Sequence, residues 1–307
     1  MIVTKPKYYD DFRCLAGSCP DSCCKEWDVW VDDESAAIYR SLPGPLGDRL
    51  REVLVDEEGG TVMQIIDGRC PMWRQDGLCR IQAELGEDAL CQVCGSFPRI
   101  SHDYGDLLEH QLELSCPEAA RLILSSPIED PERWEEEGGE APEYDPEEMA
   151  QMAALRETLL KILADPRRTA AQALLDCLET VLGPLPEDGT ADIQQLAGVF
   201  LQLETLTEIW PQRLREAKAL PLDPRVRPMA AYLLRRYWFQ EIGLGLTDAE
   251  GKIGFIIASC LIVNSLGGDF VQTAQLFSKE IENSDCNPED LILTPFSSGD
   301  MAALLRS

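Results

Sequence analysis

Cysteine is distributed unevenly along this chain, and this distribution constrains the fold more than any other feature. Nine of the 12 cysteines precede residue 117, and four of these lie between positions 14 and 24. A chain of 307 residues with 45% hydrophobic content can bury a sizeable core without disulfides. Clustered thiols in a reducing compartment indicate metal or redox chemistry. The first third of the chain is therefore predicted to bind a metal centre.

Two features of the sequence predict the compartment. The N-terminal residues MIVTKPKYYDDF lack the basic start, apolar run and small-residue cleavage site of a secretory signal. The longest apolar stretch, IGFIIASCLIV at 253–263, is much shorter than the roughly 20 residues that cross a bilayer. We therefore expect a cytoplasmic protein with no membrane partner.

The net charge of -28 limits the possible partners. Nucleic-acid binding requires a basic face that replaces the counterions of the phosphate backbone, so we expect no nucleic-acid partner. An acidic surface either attracts a lysine-bearing protein or serves only to keep the chain in solution.

The chain is predicted to be mainly α and to consist of three segments. Residues 1–128 form a cysteine-rich metal-binding region with short extended segments, and residues 129–148 form an acidic linker or loop. Residues 149–307 show apolar residues at helical spacing, which predicts an all-helical region of six or seven helices. Gly183-Pro184 is expected to end one of these helices, and Pro288 to open the last one.

Local patterns in the first third predict four elements. DDESAAIYRSL is typical of a short helix capped by Asp32 or Asp33. TVMQIIDGRCPMW and QDGLCRI indicate short extended pieces joined by an Asp-Gly turn. IQAELGEDALCQVCG predicts a helix that ends near Gly95. SCPEAARLILSS predicts a helix with Cys116 at its cap and Pro117 in its first turn.

The cysteine spacing favours one kind of metal centre over another. The spacings are Cys14-x4-Cys19-x3-Cys23-Cys24, Cys70-x8-Cys79, Cys91-x2-Cys94 and the single Cys116. Zinc and iron-sulfur clusters both accept four thiolates. Zinc sites usually contain paired C-x2-C motifs, and here only Cys91 and Cys94 have that spacing. The pattern favours a cluster and leaves zinc as the alternative.

Three details of the spacing bear on ligation. Cys91 and Cys94 are three residues apart near a helix end, so both can face the same way. A helix N-terminus lowers the pKa of a thiol, which favours the thiolate of Cys116. Neighbouring side chains diverge by about 100° on a helix and about 180° on a strand. One of Cys23 and Cys24 is therefore expected to ligate, while the other packs or serves a second site.

The remaining candidate side chains are expected to be structural. Cys177, Cys260 and Cys286 stand alone in helical surroundings, which predicts core or surface positions. His102 and His110 are expected to be surface or hydrogen-bonded residues rather than ligands. Trp27 and Trp30 flank the cysteines, and core packing is favoured over lining a site.

Several motifs of the chain occur together in one known family. The stretches DFRCLAGSCPDSCCKEWDVWVDDESAAIY, RCPMWRQDGLCRIQAELGEDALCQVCGSFPRI and LELSCPEAARLIL resemble the flagellin lysine-N-methylase family. AQLFSKEIENSDCNPEDL is similar to the C-terminal signature of that family, so the resemblance extends over nearly the full chain. A broader group of zinc- or iron-chelating cysteine-rich proteins shares only the first part.

The resemblance implies an activity, its cofactors and a set of ligands. The activity is transfer of a methyl group from S-adenosylmethionine to the ε-amine of flagellin lysines, by a protein with a [4Fe-4S] cluster. Cys91 stands where the family has a serine or a similar residue, so it is left out of the implied ligands. Lys279 replaces a usual arginine and Asn283 a usual histidine, so no proton transfer is expected at position 283. The implied metal ligands are Cys14, Cys19, Cys23, Cys24, Cys70, Cys79, Cys94 and Cys116.

Methyl transfer to lysine also requires groups outside the cysteines. The amine must lose a proton before it attacks the sulfonium methyl, so a base is needed near the acceptor. Glu280 and Glu282 in SKEIENS are the candidate catalytic residues, and Arg99 is the candidate for binding the carboxylate of the donor. The structural alternatives are a solvated helix face for the two glutamates and an ion pair for Arg99.

The alternative to an enzyme is a protein-binding module. Metal binding contributes folding free energy, so zinc or an iron-sulfur cluster can serve only to fold a recognition surface. Methyl transfer to flagellin distinguishes the two hypotheses.

Overall fold

The computed structural model describes residues 1–25 and 28–307. Trp27, predicted to pack near the cysteines, lies outside the described residues. About 51% of the chain is helical and 11% is in strands, which confirms the prediction of a mainly α protein.

The strands are short and lie mostly in the first half of the chain. They are β1 (Ile2–Lys5), β2 (Val29–Val31), β3 (Leu54–Glu57), β4 (Gly60–Met63), β5 (Arg99–Asp103), β6 (Leu107–Leu112) and β7 (Glu132–Glu135). Among the described residues before 126 there are five α-helices, namely α1 (Asp33–Ser41), α2 (Gly44–Val53), α3 (Arg80–Leu85), α4 (Gln92–Ser96) and α5 (Pro117–Ser125).

The fully described segment 149–307 contains or overlaps nine helices, more than the six or seven predicted. The additional helices arise because 193–215 is divided by a loop and because another helix follows the one that Pro288 opens. They are α6 (Pro146–Ala164), α7 (Ala170–Leu182), α8 (Ile193–Phe200), α9 (Ile209–Arg215), α10 (Val226–Tyr237), α11 (Ala249–Ser265), α12 (Phe270–Phe277), α13 (Asn287–Leu293) and α14 (Ser298–Arg306).

The chain divides into two compact units. The cysteine unit comprises residues 13–100 and 116–118, and the helical unit comprises residues 1–12, 101–115 and 119–307. The acidic segment predicted as a linker or loop contains β7, which pairs antiparallel with β1. β7 has few apolar side chains to bury, and it forms because its backbone N–H and C=O groups hydrogen-bond to β1.

The cysteine unit is built on a small antiparallel sheet in the order β2-β4-β3. Asp32 caps α1 through its side chain, as predicted. Trp30 is 47% exposed, so the expectation that it packs in a core is wrong. Along β2 the buried side chains of Val29 and Val31 alternate with Trp30, and the period of two turns the tryptophan to the outer face.

The prediction of one continuous helix for IQAELGEDALCQVCG is wrong. Gly86 adopts φ 96°, which ends α3, and a 3-10 turn at Glu87–Ala89 and α4 follow separately. The prediction that an Asp-Gly turn joins the two extended pieces is confirmed at Asp76-Gly77, since Gly77 has φ 80° and Trp73 forms an antiparallel bridge with Cys79. Asp67 and Gly68 also have positive φ and close an isolated bridge from Ile66 to Arg69.

The helical unit contains β1, β6, β7 and residues 101–103 of β5, in a sheet of the order β5-β6-β1-β7. β1 runs parallel to β6 with Val3 opposite Leu108. The most buried helix is α11, in which every residue from Lys252 to Ser265 is buried. It packs against α7, α8, α10, α12, α13 and α14. Among the described helices, none combines the length and apolarity needed to cross a membrane.

Candidate functional site

All nine N-terminal cysteines belong to the cysteine unit. Cys70 and Cys91 are part of its hydrophobic core, with Met72, Ile81 and residues of β2 to β4, and Cys24 and Cys79 pack against the same core. Sequence segments up to about 70 residues apart thus place their thiols around one core. Buried thiols behave as small hydrophobic side chains, so the metal-free fold tolerates them.

The thiols around this core influence one another electrostatically. Burial raises the pKa of the Cys70 thiol to about 12, and the neighbouring thiols of Cys24, Cys79 and Cys91 contribute. Cys79 has a raised pKa for the same reason, with Cys24 and Cys91 as its neighbours. When these thiols ionise, their negative charges repel one another, and a bound cation offsets that repulsion.

Cys23 and Cys24 form a hydrogen-bonded thiol pair. Their hydrogen bond lowers the pKa of Cys24 to about 7 and raises that of Cys23 well above its usual range. Cys14 and Cys116 are the other thiols that act on Cys23. The expectation that the two side chains diverge is therefore wrong, because the backbone here is bent and has neither helical nor strand geometry.

Cys91 and Cys94 form a second hydrogen-bonded pair. Cys91 is the residue before α4, and the bond to the thiol of Cys94 lowers its pKa to about 7. Cys94 has a pKa raised well above the usual range by the same bond. The prediction that these two thiols face the same way is confirmed. Cys91, absent from the ligands implied by the resemblance, thus lies within the thiol group.

The cysteine unit supplies suitable donor atoms for a metal centre, but the described side chains do not form a complete coordination site. Nine thiols in one compact unit supply the donor type that zinc and iron-sulfur clusters require. Within residues 1–25 and 28–307, no three Cys, His, Asp or Glu side chains are arranged to hold one metal ion. The thiol pairs are therefore ligand candidates, and the ligand set implied by the resemblance stays a prediction.

Cys116 occupies its predicted cap position, and the three later cysteines and the two histidines occupy the positions expected of structural residues. Cys116 is buried immediately before α5, as predicted. Cys177 and Cys260 are buried in helices and Cys286 is exposed. His110 contacts the hydroxyl of Ser101 at 2.7 Å, and His102 lies 3.4 Å from the amide nitrogen of Gln240.

Glu282 lies in a buried polar cluster of the helical unit. It ends a π-helical turn, Ser278–Glu282, and its side chain is fully buried. The hydroxyl of Tyr232 donates to Glu282 Oε1 at 3.0 Å and that of Tyr237 at 3.2 Å. Arg236 Nε lies 3.1 Å from the same oxygen. Burial raises the pKa of the Glu282 carboxyl, although Arg236 opposes the shift.

Glu280 is also buried, but it binds a loop of its own unit. Its carboxylate accepts hydrogen bonds from the backbone N–H of Leu206 at 2.8 Å and from the backbone and hydroxyl of Thr207. The alternative of a solvated helix face is therefore wrong for both glutamates. Through these bonds Glu280 connects the loop after α8 to the π-helical turn. Its backbone carbonyl also accepts a hydrogen bond from the side-chain amide of Asn287, at the start of α13, at 2.9 Å.

Arg99 is half-buried at the start of β5 and belongs to the cysteine unit. The two candidate glutamates belong to the helical unit.

The polar cluster contains residues that sequence reasoning missed. Tyr232, Arg236 and Tyr237 all come from α10, and Arg236 also binds Glu113 at 3.2 Å. A local signal was present for one pair, since positions i and i+4 of a helix lie close together, and YLLRRY places Tyr232 and Arg236 at that spacing. The glutamates are distant in sequence, so no local pattern connects them with α10.

The protein is therefore a cysteine-rich, mainly α protein. Its cysteine unit contains candidate metal ligands, and its helical unit contains the buried polar cluster around Glu282. The chain is 32% identical over 134 residues to flagellar biosynthetic protein FliU of Salmonella muenchen, a match that covers 41% of this chain and 79% of that protein. It therefore belongs to the flagellin lysine-N-methylase family, as the sequence motifs predicted.

Two lysine-N-methylases show the same extent of identity. Those of Salmonella choleraesuis and Salmonella typhimurium are 32% identical over 134 residues, and the match covers 41% of this chain. The chain spans about a third of the length of these two relatives, since 33% of each is covered. No family model matches the chain, and no solved structure matches it.

Proposed function

We propose that this protein is a protein-lysine N-methyltransferase. It transfers the methyl group of S-adenosylmethionine to the ε-amine of lysines in flagellin or another lysine-bearing protein. The observation that carries the proposal is the identity to relatives named lysine-N-methylase and flagellar biosynthetic protein FliU. The net charge of -28 is compatible with a cationic protein surface as partner and with the absence of nucleic acid. The predicted site of action is the cytoplasm.

The proposed cofactor of the cysteine unit is a [4Fe-4S] cluster, with zinc as the alternative. Support comes from nine thiols in one unit and from two thiol pairs, Cys23 with Cys24 and Cys91 with Cys94. When bound, such a cluster supplies a redox-active centre whose ligands also stabilise the fold around it. Anaerobic purification followed by iron, sulfide and zinc analysis tests this part of the proposal.

The proposed base is Glu282. A carboxylate with a raised pKa accepts a proton more readily than an ordinary glutamate, which suits removal of a proton from a lysine ammonium. Tyr232 and Tyr237 hold its oxygen in place, and their rings and the carboxylate favour a cation. Glu280 is assigned a supporting role through its bonds to the loop at Leu206 and Thr207. Arg99 is proposed to bind the carboxylate of the methyl donor.

The test is methyl transfer to purified flagellin from isotope-labelled S-adenosylmethionine, measured by mass spectrometry. Glu282→Gln is expected to lower the rate by about 10²-fold or more, because the base is lost. Glu179→Gln, at an exposed position of α7, is the matched control and is expected to be fully active. If iron- or zinc-loaded protein binds flagellin but transfers no label, the binding-module hypothesis replaces the enzyme.

A further inference from the structure

The start of α4, where Cys91 lies, is capped from another helix. Cys91 itself forms no side-chain cap on α4. Asp32 provides the cap instead, since its Oδ2 accepts a hydrogen bond of 2.8 Å from the backbone N–H of Gln92. Its other oxygen, Oδ1, accepts from the N–H of Ser35 at 2.9 Å and caps α1. One carboxylate therefore fixes the first turns of two helices that lie far apart in sequence.

A second side chain of α1 fixes the other flank of Cys91. Tyr39 is 1% exposed, and its hydroxyl donates to the carbonyl oxygen of Ala89 at 2.7 Å. The backbone on both sides of Cys91 is thus bonded to α1, at Ala89 before it and at Gln92 after it. Both bonds lie within the cysteine unit. The position of the Cys91 thiol therefore depends on α1, which contains no cysteine itself.

The Cys91–Cys94 pair has the properties of a chelating dithiol. Cys91 is 1% exposed, so it is anchored in the core, whereas Cys94 is exposed and reachable from solvent. Their thiols interact with each other, as expected for two side chains three residues apart at the start of a helix. Thiolates at C-x2-C spacing are ligands of soft and borderline cations such as zinc and cadmium.

We infer that Cys91 is a metal ligand together with Cys94, and that Asp32 and Tyr39 are the residues that position this pair. The inference adds a ligand to those implied by the resemblance. It rests on the proposed metal centre of the cysteine unit but not on methyl transfer. Side chains outside the ligands that fix ligand orientation commonly change metal affinity by about 10- to 100-fold when removed.

Cadmium binding to the full-length, reduced, metal-free protein tests the positioning role. The measurements are bound cadmium per chain and the thiolate-to-cadmium absorption during titration. Asp32→Ser is the decisive variant, because serine caps α1 as aspartate does, while its single oxygen cannot also accept from Gln92. It is expected to unfold at nearly the wild-type temperature but to bind cadmium about 10- to 100-fold more weakly at this pair.

Two further variants show whether weaker cadmium binding comes from a displaced thiol or from the loss of a negative charge. Asp33→Ala removes the same charge from the neighbouring, exposed position and is expected to bind cadmium as the wild type does. Tyr39→Phe removes the bond to Ala89 and is expected to weaken binding in the same direction as Asp32→Ser. Wild-type affinity in Asp32→Ser would overturn the assignment of Asp32 as a positioning residue.

The ligand role of Cys91 has its own test. Cys91→Ser is expected to lose the absorption of one cadmium-thiolate bond. Because Cys91 is buried and this variant can misfold, an NMR correlation from bound cadmium to cysteine β-protons is also recorded on the wild-type protein. A correlation to Cys91 is expected, and correlations that include Cys94 but not Cys91 would refute the inference. None of these measurements involves methyl transfer, so an inactive protein that binds cadmium through Cys91 refutes the proposed enzyme alone.

Discussion

Arg236 lies between the buried carboxylate of Glu282, 3.1 Å from its Nε, and the half-buried carboxylate of Glu113, 3.2 Å from one of its terminal nitrogens. One guanidinium therefore balances both acidic groups in the interior of the helical unit. A buried ion pair contributes little net stability by itself, but removing one partner leaves the other charge buried and uncompensated.

The first prediction follows from this arrangement. Arg236→Met is expected to lower the free energy of unfolding by about 3–5 kcal/mol, because two carboxylates lose their counter-charge. Urea unfolding followed by circular dichroism measures the change. Arg215→Met, at an exposed position of α9, is the control and is expected to change it by less than about 0.5 kcal/mol. A loss below about 1 kcal/mol in Arg236→Met would show that the cluster does not depend on this charge.

The hydroxyl of Tyr232 is the next group of the cluster that can be tested. It donates to Glu282 at 3.0 Å and accepts from the backbone N–H of Leu114 at 3.3 Å. Tyr232→Phe is expected to cost about 1–3 kcal/mol, because a buried donor and a buried acceptor both lose their partner. In a double-mutant cycle with Glu282→Gln, measured by urea unfolding, a coupling energy above about 0.5 kcal/mol is expected. Strict additivity of the two changes would contradict the contact.

Much of the helical unit could be predicted because the information is local. Apolar residues at helical spacing indicated α6, α7, α10 and α11, and the Gly183-Pro184 pair correctly indicated the end of α7. The sheet of the same unit could not be predicted this way. β1 is a four-residue strand whose partners β6 and β7 lie more than 100 residues later, so no periodicity within the strand indicates the pairing.

The candidate site shows the same division between local and distant information. The C-x2-C spacing of Cys91 and Cys94 correctly indicated a thiol pair. The contact between Cys23 and Cys24 was missed, because the rule for neighbouring side chains applies to regular helices and strands only. The association of Glu282 with Arg236 was missed because the two residues come from different helical elements of the fold.

A buried lysine gives a third prediction. Lys252 is fully buried in α11, and its ammonium donates to the carbonyl oxygens of Trp238, Gly245 and Leu246 at 2.9 to 3.1 Å. Lys252→Met retains the apolar stem but removes all three bonds, so it is expected to lower the free energy of unfolding by about 2–4 kcal/mol. Thermal unfolding is measured for Lys252→Met and for the control Lys218→Met, which lies at an exposed position. Equal midpoints for the two variants would contradict the anchoring role.

The cysteines outside the cysteine unit give a fourth prediction. Cys177 and Cys260 are buried in α7 and α11, and burial raises the pKa of each thiol. A protonated, buried thiol is a poor ligand, so Cys177→Ala is expected to leave the metal content per chain unchanged. Elemental analysis of the purified variant measures this. A loss of metal in Cys177→Ala would place a ligand in the helical unit, contrary to the grouping of the other thiols.

The pH dependence of stability provides the last prediction, through His102. Burial, together with the nearby Arg236, lowers the pKa of this imidazole from 6.5 to about 4, while Glu109 acts in the opposite direction. Its Nε2 has no hydrogen-bond partner among the described residues. As pH falls below 6.5 the unfolded chain takes up a proton that the folded protein does not, so stability is lost between pH 6.5 and about 4.

The size of this loss distinguishes His102 from the carboxylates that titrate in the same range. The shift of the His102 pKa corresponds to roughly 2 kcal/mol of stability between neutral pH and about pH 4.5, after allowance for partial solvent screening. In His102→Gln that contribution is absent, so the variant is expected to lose roughly 2 kcal/mol less than the wild type over the same interval. Urea unfolding at a series of pH values measures both curves. Parallel curves for the two proteins would show that His102 is protonated equally in the folded and unfolded states.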